Sequence, residues 1–200
     1  MKRLLDFTAA LAGLLVLWPL FIVIALAIKL DSPGPVFFTQ QRIGRHFRPF
    51  WIYKFRTMVA DAPERGGLLT SDADPRVTRI GQILRQTKLD ELPQLINILK
   101  GEMSLVGPRP EVARYVEMFR PDYEEILKLR PGLTDLASLK YRDEAALLGK
   151  AENPESEYIA RLLPDKITLA KEYQRRAGVL FDLRLTARTI VTLLGQGNRS

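Results

Sequence analysis

The stretch FTAALAGLLVLWPLFIVIALAI, residues 7–28, decides the fold because it is too apolar to lie exposed in water. It carries no charge, and Thr8 is its only polar side chain. As a helix it would be about 33 Å long, close to a hydrocarbon core of roughly 30 Å, so a single membrane-spanning helix is one interpretation. A secretory signal peptide is a second, since Ala25-Leu26-Ala27 is typical of a cleavage site, although the run exceeds the usual ~7–15 apolar residues.

The proline near the middle of this stretch favours a third interpretation, a re-entrant helix that enters the membrane and returns. Proline removes a helical hydrogen bond and clashes with the preceding turn, so Trp18-Pro19 predicts a break. Basic side chains flank both ends of the stretch, and such residues tend to stay in the cytoplasm. They are Lys2, Arg3, Lys29, Arg42, Arg45 and Arg48. A straight span would separate the two basic groups, whereas a helix broken at Pro19 keeps both on one side.

Composition narrows the chemistry of the remaining chain. Two hundred residues suffice for one domain with a core, and the net charge of +7 suggests nucleic acid, anionic lipid or a phosphorylated substrate as partner. The chain has no cysteine and one histidine, His46, which excludes a disulfide framework and disfavours zinc. A metal would therefore be a hard ion such as Mg²⁺, bound by carboxylates and substrate phosphates.

The residue pattern predicts an α+β fold that is predominantly helical. After a turn at 31–35, aromatic and β-branched runs at 36–44 and 47–58 predict a short β-hairpin, and 59–76 predicts a loop. Residues 104–110 are expected to be extended. Apolar spacing predicts helices at 77–86, 90–100, 111–119, 122–129, 154–175 and 181–195. The helices at 111–119 and 122–129 have mixed apolar and charged faces, which are typical of amphipathic helices at a membrane interface.

Adjacent carboxylates at Asp90-Glu91 are the strongest candidates for catalysis. Local physics alone explains them as a helix start, because Asp90 is a good N-cap and Glu91 suits the helix dipole. The functional interpretation uses the same geometry, because a helix N-terminus favours phosphate and the nearby Arg85 and Lys88 add positive charge. One carboxylate would attack phosphorus while the other holds Mg²⁺. Both interpretations stay open at this point.

Two other basic segments have functional and structural interpretations of equal weight. In Gly107-Pro108-Arg109-Pro110 the prolines stiffen the backbone, so Arg109 is either a preset phosphate or nucleotide ligand or a solvated residue on a connector. Between 31 and 60, aromatic residues alternate with basic ones that include Lys54 and Arg56. This pattern suits a membrane interface or a nucleotide, and equally a solvated strand face.

Six short motifs occur in one order along about residues 1–135. They are Lys2-Arg3-x-x-Asp6 before the apolar helix, Ser32-Pro33-Gly34-Pro35-Val36-Phe37, Gln41-Arg42-Ile43-Gly44, Lys54-Phe55-Arg56-Thr57-Met58, Leu89-Asp90-Glu91-Leu92-Pro93-Gln94 and Met103-Ser104-Leu105-Val106-Gly107-Pro108-Arg109-Pro110. In this order they resemble the bacterial sugar transferase family, the monotopic polyprenyl-phosphate phosphoglycosyl transferases. Each motif alone is modest, whereas six in order are highly specific.

The resemblance implies a fold and a location. Residues 1–30 would form a re-entrant membrane helix broken at Pro19, and residues 31–200 would form the catalytic domain. That domain would be a compact core with a short β-hairpin and interfacial amphipathic helices, on the cytoplasmic face of the bacterial inner membrane.

The resemblance also implies a two-step reaction. Asp90 would attack the β-phosphate of a UDP-sugar, release UMP and hold a covalent phospho-sugar. A polyprenyl phosphate, such as undecaprenyl phosphate, would then accept that group, and Glu91 would bind Mg²⁺. The substrate-binding residues expected are Arg85, Lys88, Arg109, Lys54 and Arg56.

One departure from the family pattern leaves the sugar open. After Arg130-Pro131-Gly132-Leu133-Thr134 the family usually continues with glycine, whereas this chain continues with Asp135-Leu136-Ala137.

Three alternative functions are a single-pass protein with a nucleic-acid-binding domain, a non-catalytic scaffold, and a phosphohydrolase that uses the same carboxylate. Because no recognised nucleic-acid motif is present, nucleic acid is not an expected partner; membrane lipid is, and a homodimer is left open.

Overall fold

A computed structural model describes residues 2–66, 69–70 and 74–194. Helices of the first half are α1 (Lys2–Asp31), α2 (Ala62–Arg65), α3 (Arg79–Thr87) and α4 (Gln94–Lys100). Helices of the second half are α5 (Ala113–Met118), α6 (Arg120–Ile126), α7 (Leu136–Lys140), α8 (Glu144–Gly149), α9 (Pro154–Glu157), α10 (Leu163–Arg176) and α11 (Val179–Leu194). Strands are β1 (Phe37–Ile43), β2 (Pro49–Phe55), β3 (Ser104–Val106) and β4 (Gly132–Thr134). The predicted α+β, mostly helical fold with a hairpin and an apolar N-terminal helix is confirmed.

The N-terminal helix α1 runs from Lys2 to Asp31 with Pro19 inside it. The predicted break at Pro19 is therefore not confirmed, since helical conformation continues on both sides of the proline. Proline has no N–H, so Pro19 cannot donate the helical hydrogen bond to the Leu15 carbonyl. The side chains of both residues are exposed on the outward side of α1. The defect thus lies away from the packed face, and packing of that face holds the helix together.

The inner face of α1 packs along almost its whole length on the rest of the chain. Its contact residues recur every three or four positions, as one face of a helix requires: they are Asp6, Ala10, Leu14, Leu17, Phe21, Ile24 and Ile28. The first half meets Leu95 and Ile98 of α4, and the second half meets Phe55 and Leu84. The inner face of α1 is therefore part of the hydrophobic core of the folded domain.

The outer face of α1 is apolar and uncovered. In the part of the chain that the structure describes, α1 is the one helix long and apolar enough to cross a membrane. Its exposed large side chains are Leu4, Leu5, Phe7, Leu11, Leu15, Val16, Trp18, Ile22, Val23, Leu26 and Leu30. A contiguous surface of this kind is unfavourable in water and marks a membrane or protein contact. The length and apolar character of this face favour membrane association through α1.

Polar side chains fasten both ends of α1 to the same body. At its start, Arg3 donates to the Ile98 carbonyl at 2.6 Å, and the buried Asp6 accepts from Ser104 Oγ at 2.9 Å and Leu105 N at 3.1 Å. At its end, the Arg56 guanidinium donates to carbonyls of the residues that terminate the helix. These hydrogen bonds reach the carbonyl oxygens of Ile28, Ser32 and Pro33.

The hairpin β1–β2 is antiparallel, with Phe38 opposite Lys54 and Gln41 opposite Trp51. Buried Asn97 of α4 fixes this hairpin, because its side chain accepts from Tyr53 N and donates to the Trp51 carbonyl. The hairpin predicted from the aromatic and β-branched runs is therefore present.

The second sheet, β3–β4, was not predicted from the sequence. Its strands are parallel and only three residues long, with Ser104 opposite Gly132 and Val106 opposite Thr134. The two backbones approach closely just beyond the strands, where a Cβ on Gly132 would lie 2.1 Å from Gly107 N. Glycine is required here by space, and the contact brings the segment after β3 against the segment after β4.

Helices α5 to α10 surround a second core made mainly of tyrosine and branched aliphatic side chains. It includes Tyr115, Val116, Tyr123, Ile126, Leu148, Tyr158, Leu162, Leu163 and Ile167. The helices predicted at 111–119 and 122–129 correspond to α5 and α6, and each buries one face in this core, so their placement at a membrane interface is not confirmed. The predicted helix 154–175 contains a π-helical turn at Tyr158–Leu162, and residue 195 lies outside the described residues.

Candidate active site

The carboxylate pair lies on a short 3₁₀ helix, Leu89–Glu91, between α3 and α4. Helix α3 ends at Thr87, and its C-cap Lys88, whose backbone is left-handed (φ 58°, ψ 15°), turns the chain into this segment. Helix α4 starts after Pro93 without a side-chain cap. The interpretation of Asp90 as the N-cap of a helix over 90–100 is therefore wrong, because the first turn of that segment is a separate 3₁₀ helix. The Asp90 carboxylate is left for another role.

Glu91 is neutralised by two cations from distant parts of the chain. Arg109 Nη2 donates to Glu91 Oε1 at 2.6 Å, and Lys54 Nζ donates to the same oxygen at 2.7 Å. Burial by itself would raise the pKa of Glu91, but the charges of Arg109 and Lys54 outweigh it and hold this pKa well below its ordinary value. The negative charge of Glu91 raises the pKa of Arg109 in turn. The charged form of Glu91 is thus stabilised by the two cations that bond to it.

Asp90 is as deeply placed as Glu91 but far less engaged. The residue is 7% exposed, Oδ2 lies 4.0 Å from Lys54 Nζ, and buried Oδ1 has no hydrogen-bond partner among the described residues. Burial raises the pKa of Asp90, and Glu91 adds to this, whereas Lys54 lowers it. A buried oxygen without a partner is costly unless a ligand uses it. Among the described residues of the site, Asp90 Oδ1 is the buried side-chain oxygen whose hydrogen-bonding capacity a ligand could satisfy.

Two more cations border Asp90. Arg85 donates from Nε to Thr57 Oγ1 at 2.8 Å, and its remaining N–H groups make no further side-chain bond that the described residues show. The Lys88 side chain forms no hydrogen bond or ion pair within residues 2–66, 69–70 and 74–194. Desolvation lowers the pKa of both side chains, although Lys88 stays exposed at the surface, and Asp90 opposes this effect in each. Arg85 and Lys88 are therefore available to an anionic ligand beside Asp90 Oδ1.

The structure brings together most of the predicted site residues: Asp90, Glu91, Lys54, Arg85, Lys88 and Arg109. Arg56 is placed elsewhere, since its hydrogen bonds all run to the end of α1. Sequence reasoning missed Thr57, which orients Arg85. It noticed Asp135 only as a departure from a pattern, although Asp135 accepts a hydrogen bond from Arg109 N.

The residues present fit a Mg²⁺ ion shared with a ligand. Asp90 Oδ1 has no partner, and Glu91 Oε2 makes one long contact of 3.4 Å with Arg109 Nη1. Carboxylate oxygens are the ligands that Mg²⁺ prefers, and it commonly takes only one or two of them plus substrate phosphates. Among the described residues no group of three or more His, Cys, Asp and Glu could hold a metal alone, so a ligand would have to complete the shell.

The fold and this site together define a membrane-associated enzyme that handles phosphate groups. A carboxylate oxygen without a partner among the described residues, next to a neutralised carboxylate and to the cations Arg85 and Lys88, has the chemistry needed for attack on phosphorus. Anion binding by Arg85 and Lys88 would offset repulsion between the nucleophile and the phosphate.

Comparison with known proteins identifies the family. The model of the family described as bacterial sugar transferase matches residues 1–196, so this chain belongs to the bacterial sugar transferase family. The resemblance drawn from six motifs is thus confirmed, and the chain is an enzyme of this class.

Relatives of this chain include named enzymes. The exopolysaccharide production protein PSS of Rhizobium leguminosarum bv. phaseoli is 39% identical, over 98% of this chain and 96% of that protein. The UDP-glucose:undecaprenyl-phosphate glucose-1-phosphate transferase of Caulobacter vibrioides is 39% identical, over 98% of this chain and 71% of that enzyme. The enzyme of the same name from Escherichia coli K12 is 38% identical over 95% of this chain, which spans only 39% of that relative.

The pH dependence of transfer should move when Lys54 is replaced. Lys54 lowers the pKa of Asp90, so Lys54→Met should raise it, leave more of the carboxyl protonated at a given pH, and shift the acidic limb of log kcat/KM to higher pH. The measurement is a pH–rate profile of sugar-phosphate transfer. The matched control is Lys100→Met, whose ammonium bonds to Tyr53 OH on the surface and whose profile should match that of the wild type. An acidic limb that stays in place in Lys54→Met would contradict this assignment.

Proposed function

We propose that this chain transfers a sugar-1-phosphate from a UDP-sugar to a polyprenyl phosphate, giving a polyprenyl-diphosphate-sugar and UMP. This would be the first membrane step of a bacterial glycan assembly. The single observation that carries the proposal is Asp90 Oδ1, a buried carboxylate oxygen without a partner, next to Arg85 and Lys88. The names of its Caulobacter and Escherichia relatives describe such a transfer with UDP-glucose and undecaprenyl phosphate.

The proposed reaction is a double displacement at one phosphorus atom. Asp90 Oδ1 forms a bond to the β-phosphorus of the donor, while the bond from that phosphorus to the oxygen bridging the two phosphates breaks, and UMP leaves with that oxygen. An oxygen of the polyprenyl phosphate then attacks the same phosphorus. The bond between phosphorus and Asp90 breaks, and the carboxylate is restored for the next turnover.

The surrounding charges are arranged for this displacement. Because Lys54 and Arg109 are bonded to Glu91, the net charge near Asp90 is kept low without using Arg85 or Lys88. We assign Arg85 and Lys88 to the phosphates that approach Asp90, and Arg109 to the nucleotide side. Fixed cations of this kind stabilise charge that gathers on a transferred phosphoryl group.

Mg²⁺ is a proposed cofactor held by Glu91, with the donor phosphates as further ligands. When bound, it would neutralise phosphate charge and polarise the leaving group. Support comes from the chemistry of the donor atom, since Glu91 Oε2 is a carboxylate oxygen with one long contact of 3.4 Å to Arg109 Nη1.

Three alternatives are weaker. A phosphohydrolase would use water as acceptor, whereas the names of the Caulobacter and Escherichia relatives give undecaprenyl phosphate as theirs. A scaffold without catalysis has no use for a buried carboxylate oxygen that lacks a partner. A nucleic-acid-binding site is opposed by two adjacent carboxylates in the centre of the basic cluster, which would repel a phosphate backbone.

Replacement of the nucleophile should abolish transfer. In Asp90→Asn an amide takes the place of the carboxylate, so release of UMP from a UDP-sugar should fall by at least about 10³-fold while the fold is kept. Intact-protein mass, measured with donor present and acceptor absent, should show a phospho-sugar adduct on the wild type and none on the variant. The control is Asp165→Asn, which removes a carboxylate that pairs with Lys140 and accepts a hydrogen bond from Tyr141 OH. Near-normal turnover by Asp90→Asn would reject Asp90 as nucleophile.

Removal of divalent metal should stop the first half-reaction. In excess chelator, UMP release should drop to background, and adding Mg²⁺ back should restore it, because without the divalent cation the donor phosphates would meet the carboxylates of Asp90 and Glu91 with less of their charge compensated. A direct measurement is the Mg²⁺ dependence of UDP binding, compared between wild type and Glu91→Gln. Full activity in chelator would remove Mg²⁺ from the proposal.

We further propose that α1 enters the inner membrane from the cytoplasmic side without crossing it. Support comes from its two ends, which both bond to the same body: Asp6 meets Ser104 at one end, and Arg56 meets Ser32 at the other. A straight span would carry one of these ends across the bilayer and break those contacts. In this arrangement the outer face of α1 contacts lipid, and the catalytic domain stays in the cytoplasm.

Single cysteines test this topology, because the chain has none of its own. In Arg3→Cys and in Lys29→Cys, an impermeant thiol reagent should label both positions in inverted membrane vesicles and neither in intact spheroplasts. A spanning helix predicts opposite results for the two positions. Labelling of either position from the periplasmic side would overturn the re-entrant arrangement.

A further inference from the structure

A third buried carboxylate, that of Asp135, lies next to the Arg109 segment. Asp135 follows β4, and Arg109 follows β3 by three residues, so the parallel pairing of these strands brings the two together. Asp135 is 5% exposed. Within the described ranges its carboxylate forms no ion pair, and both of its hydrogen bonds come from backbone N–H groups.

One of these hydrogen bonds fixes the backbone of Arg109. Arg109 stands between Pro108 and Pro110, which have no N–H, so its amide is the only backbone donor of this tripeptide. That amide donates to Asp135 Oδ2 at 3.2 Å. Neighbouring bonds, from Gly107 N to the Thr134 carbonyl and from Gly132 N to the Pro108 carbonyl, hold the rest of the segment. Asp135 therefore supplies the one acceptor for the Arg109 amide.

The other hydrogen bond reaches the side chain of Arg109 indirectly. Ser138 N donates to Asp135 Oδ1 at 2.6 Å, which caps helix α7. Ser138 Oγ in turn lies 3.5 Å from Arg109 Nη1, while Nη2 of the same guanidinium binds Glu91. Asp135 thus binds the Arg109 backbone directly. Through its cap of α7 it also holds Ser138, whose Oγ lies beside the Arg109 guanidinium.

We propose that Asp135 is a positioning residue that sets the place of Arg109 beside Glu91. Its two oxygens divide the work: Oδ1 holds α7, and Oδ2 holds the Arg109 amide. This inference rests on the proposed function, since Arg109 acts there on the nucleotide side of the donor. The Arg109 guanidinium is then already in position before the donor binds, which lowers the entropy cost of ordering this side chain on binding.

A helix cap alone would explain only half of these contacts, and a serine variant separates the two roles. Asp135→Ser keeps an oxygen that can cap α7, because serine is a preferred N-cap residue. It has no second oxygen for the Arg109 amide. Asp135→Asn likewise keeps one acceptor and presents an N–H₂ group to one of the two amides. A role limited to capping predicts little change in either variant.

The experiment is a double-mutant cycle on kcat/KM with Arg109. We use the donor that the wild type turns over in a UDP-sugar panel with undecaprenyl phosphate, and we also measure equilibrium binding of UDP. Asp135→Ser should lower kcat/KM and UDP affinity about tenfold or more. In an Arg109→Ala background the same change should alter both by less than about twofold, because Asp135 acts through Arg109. Effects that multiply independently would show a general structural role and overturn the proposal.

The control variant removes a comparable cap away from the site. Asn153 caps α9 by accepting from Ser156 N at 3.0 Å, so Asn153→Ala should lower the thermal unfolding temperature without changing kcat/KM. If the wild type releases UMP and Asp135→Ser keeps kcat/KM within twofold, the positioning role fails while the proposed function stands. If no UDP-sugar releases UMP, the proposed function fails, and the UDP-binding cycle still decides the role of Asp135.

Discussion

The salt bridges of Glu91 are the interaction on which the site depends. They join three segments that are far apart in the sequence: the hairpin through Lys54, the 3₁₀ helix through Glu91 itself, and the segment after β3 through Arg109. Each charge is buried or half-buried, and each would be costly alone. Because Glu91 takes both cations, the neighbouring Asp90 carboxylate keeps one oxygen without a partner. The two salt bridges thus set apart the neighbouring carboxylate, which we propose as the nucleophile.

The two faces of α1 explain how an apolar helix can belong to a folded domain. Its inner face supplies Ala10, Ile24 and Ile28 to the core, and its outer face shows large apolar side chains to the surroundings. Asp6 would be unfavourable in lipid, but it is buried against Ser104 and Leu105. The same contact holds β3, and β3 leads to Arg109, so the membrane-associated helix and the active site share one framework.

Several expectations from the sequence held because they depended on local chemistry. Aromatic and β-branched runs gave the hairpin, and apolar spacing gave α3, α5 and α6 near their predicted ranges. The sheet β3–β4 could not be predicted, because three-residue strands have no periodicity and their pairing joins residues almost thirty positions apart. Arg56 shows the same limit: its motif suggested a phosphate ligand, yet burial at the end of α1 turns it into a partner for helix-terminal carbonyls.

The sequence by itself determined the family and the apolar helix, because ordered motifs and long apolar runs are local properties of the chain, and it predicted most of the residues that meet around Asp90. Only the tertiary structure decided how these residues divide their roles. Asp90 and Glu91 are neighbours with the same chemistry, and they differ because Lys54 and Arg109 reach one of them and not the other with hydrogen bonds. Burial and distance set that difference, and neither is written in the order of the residues.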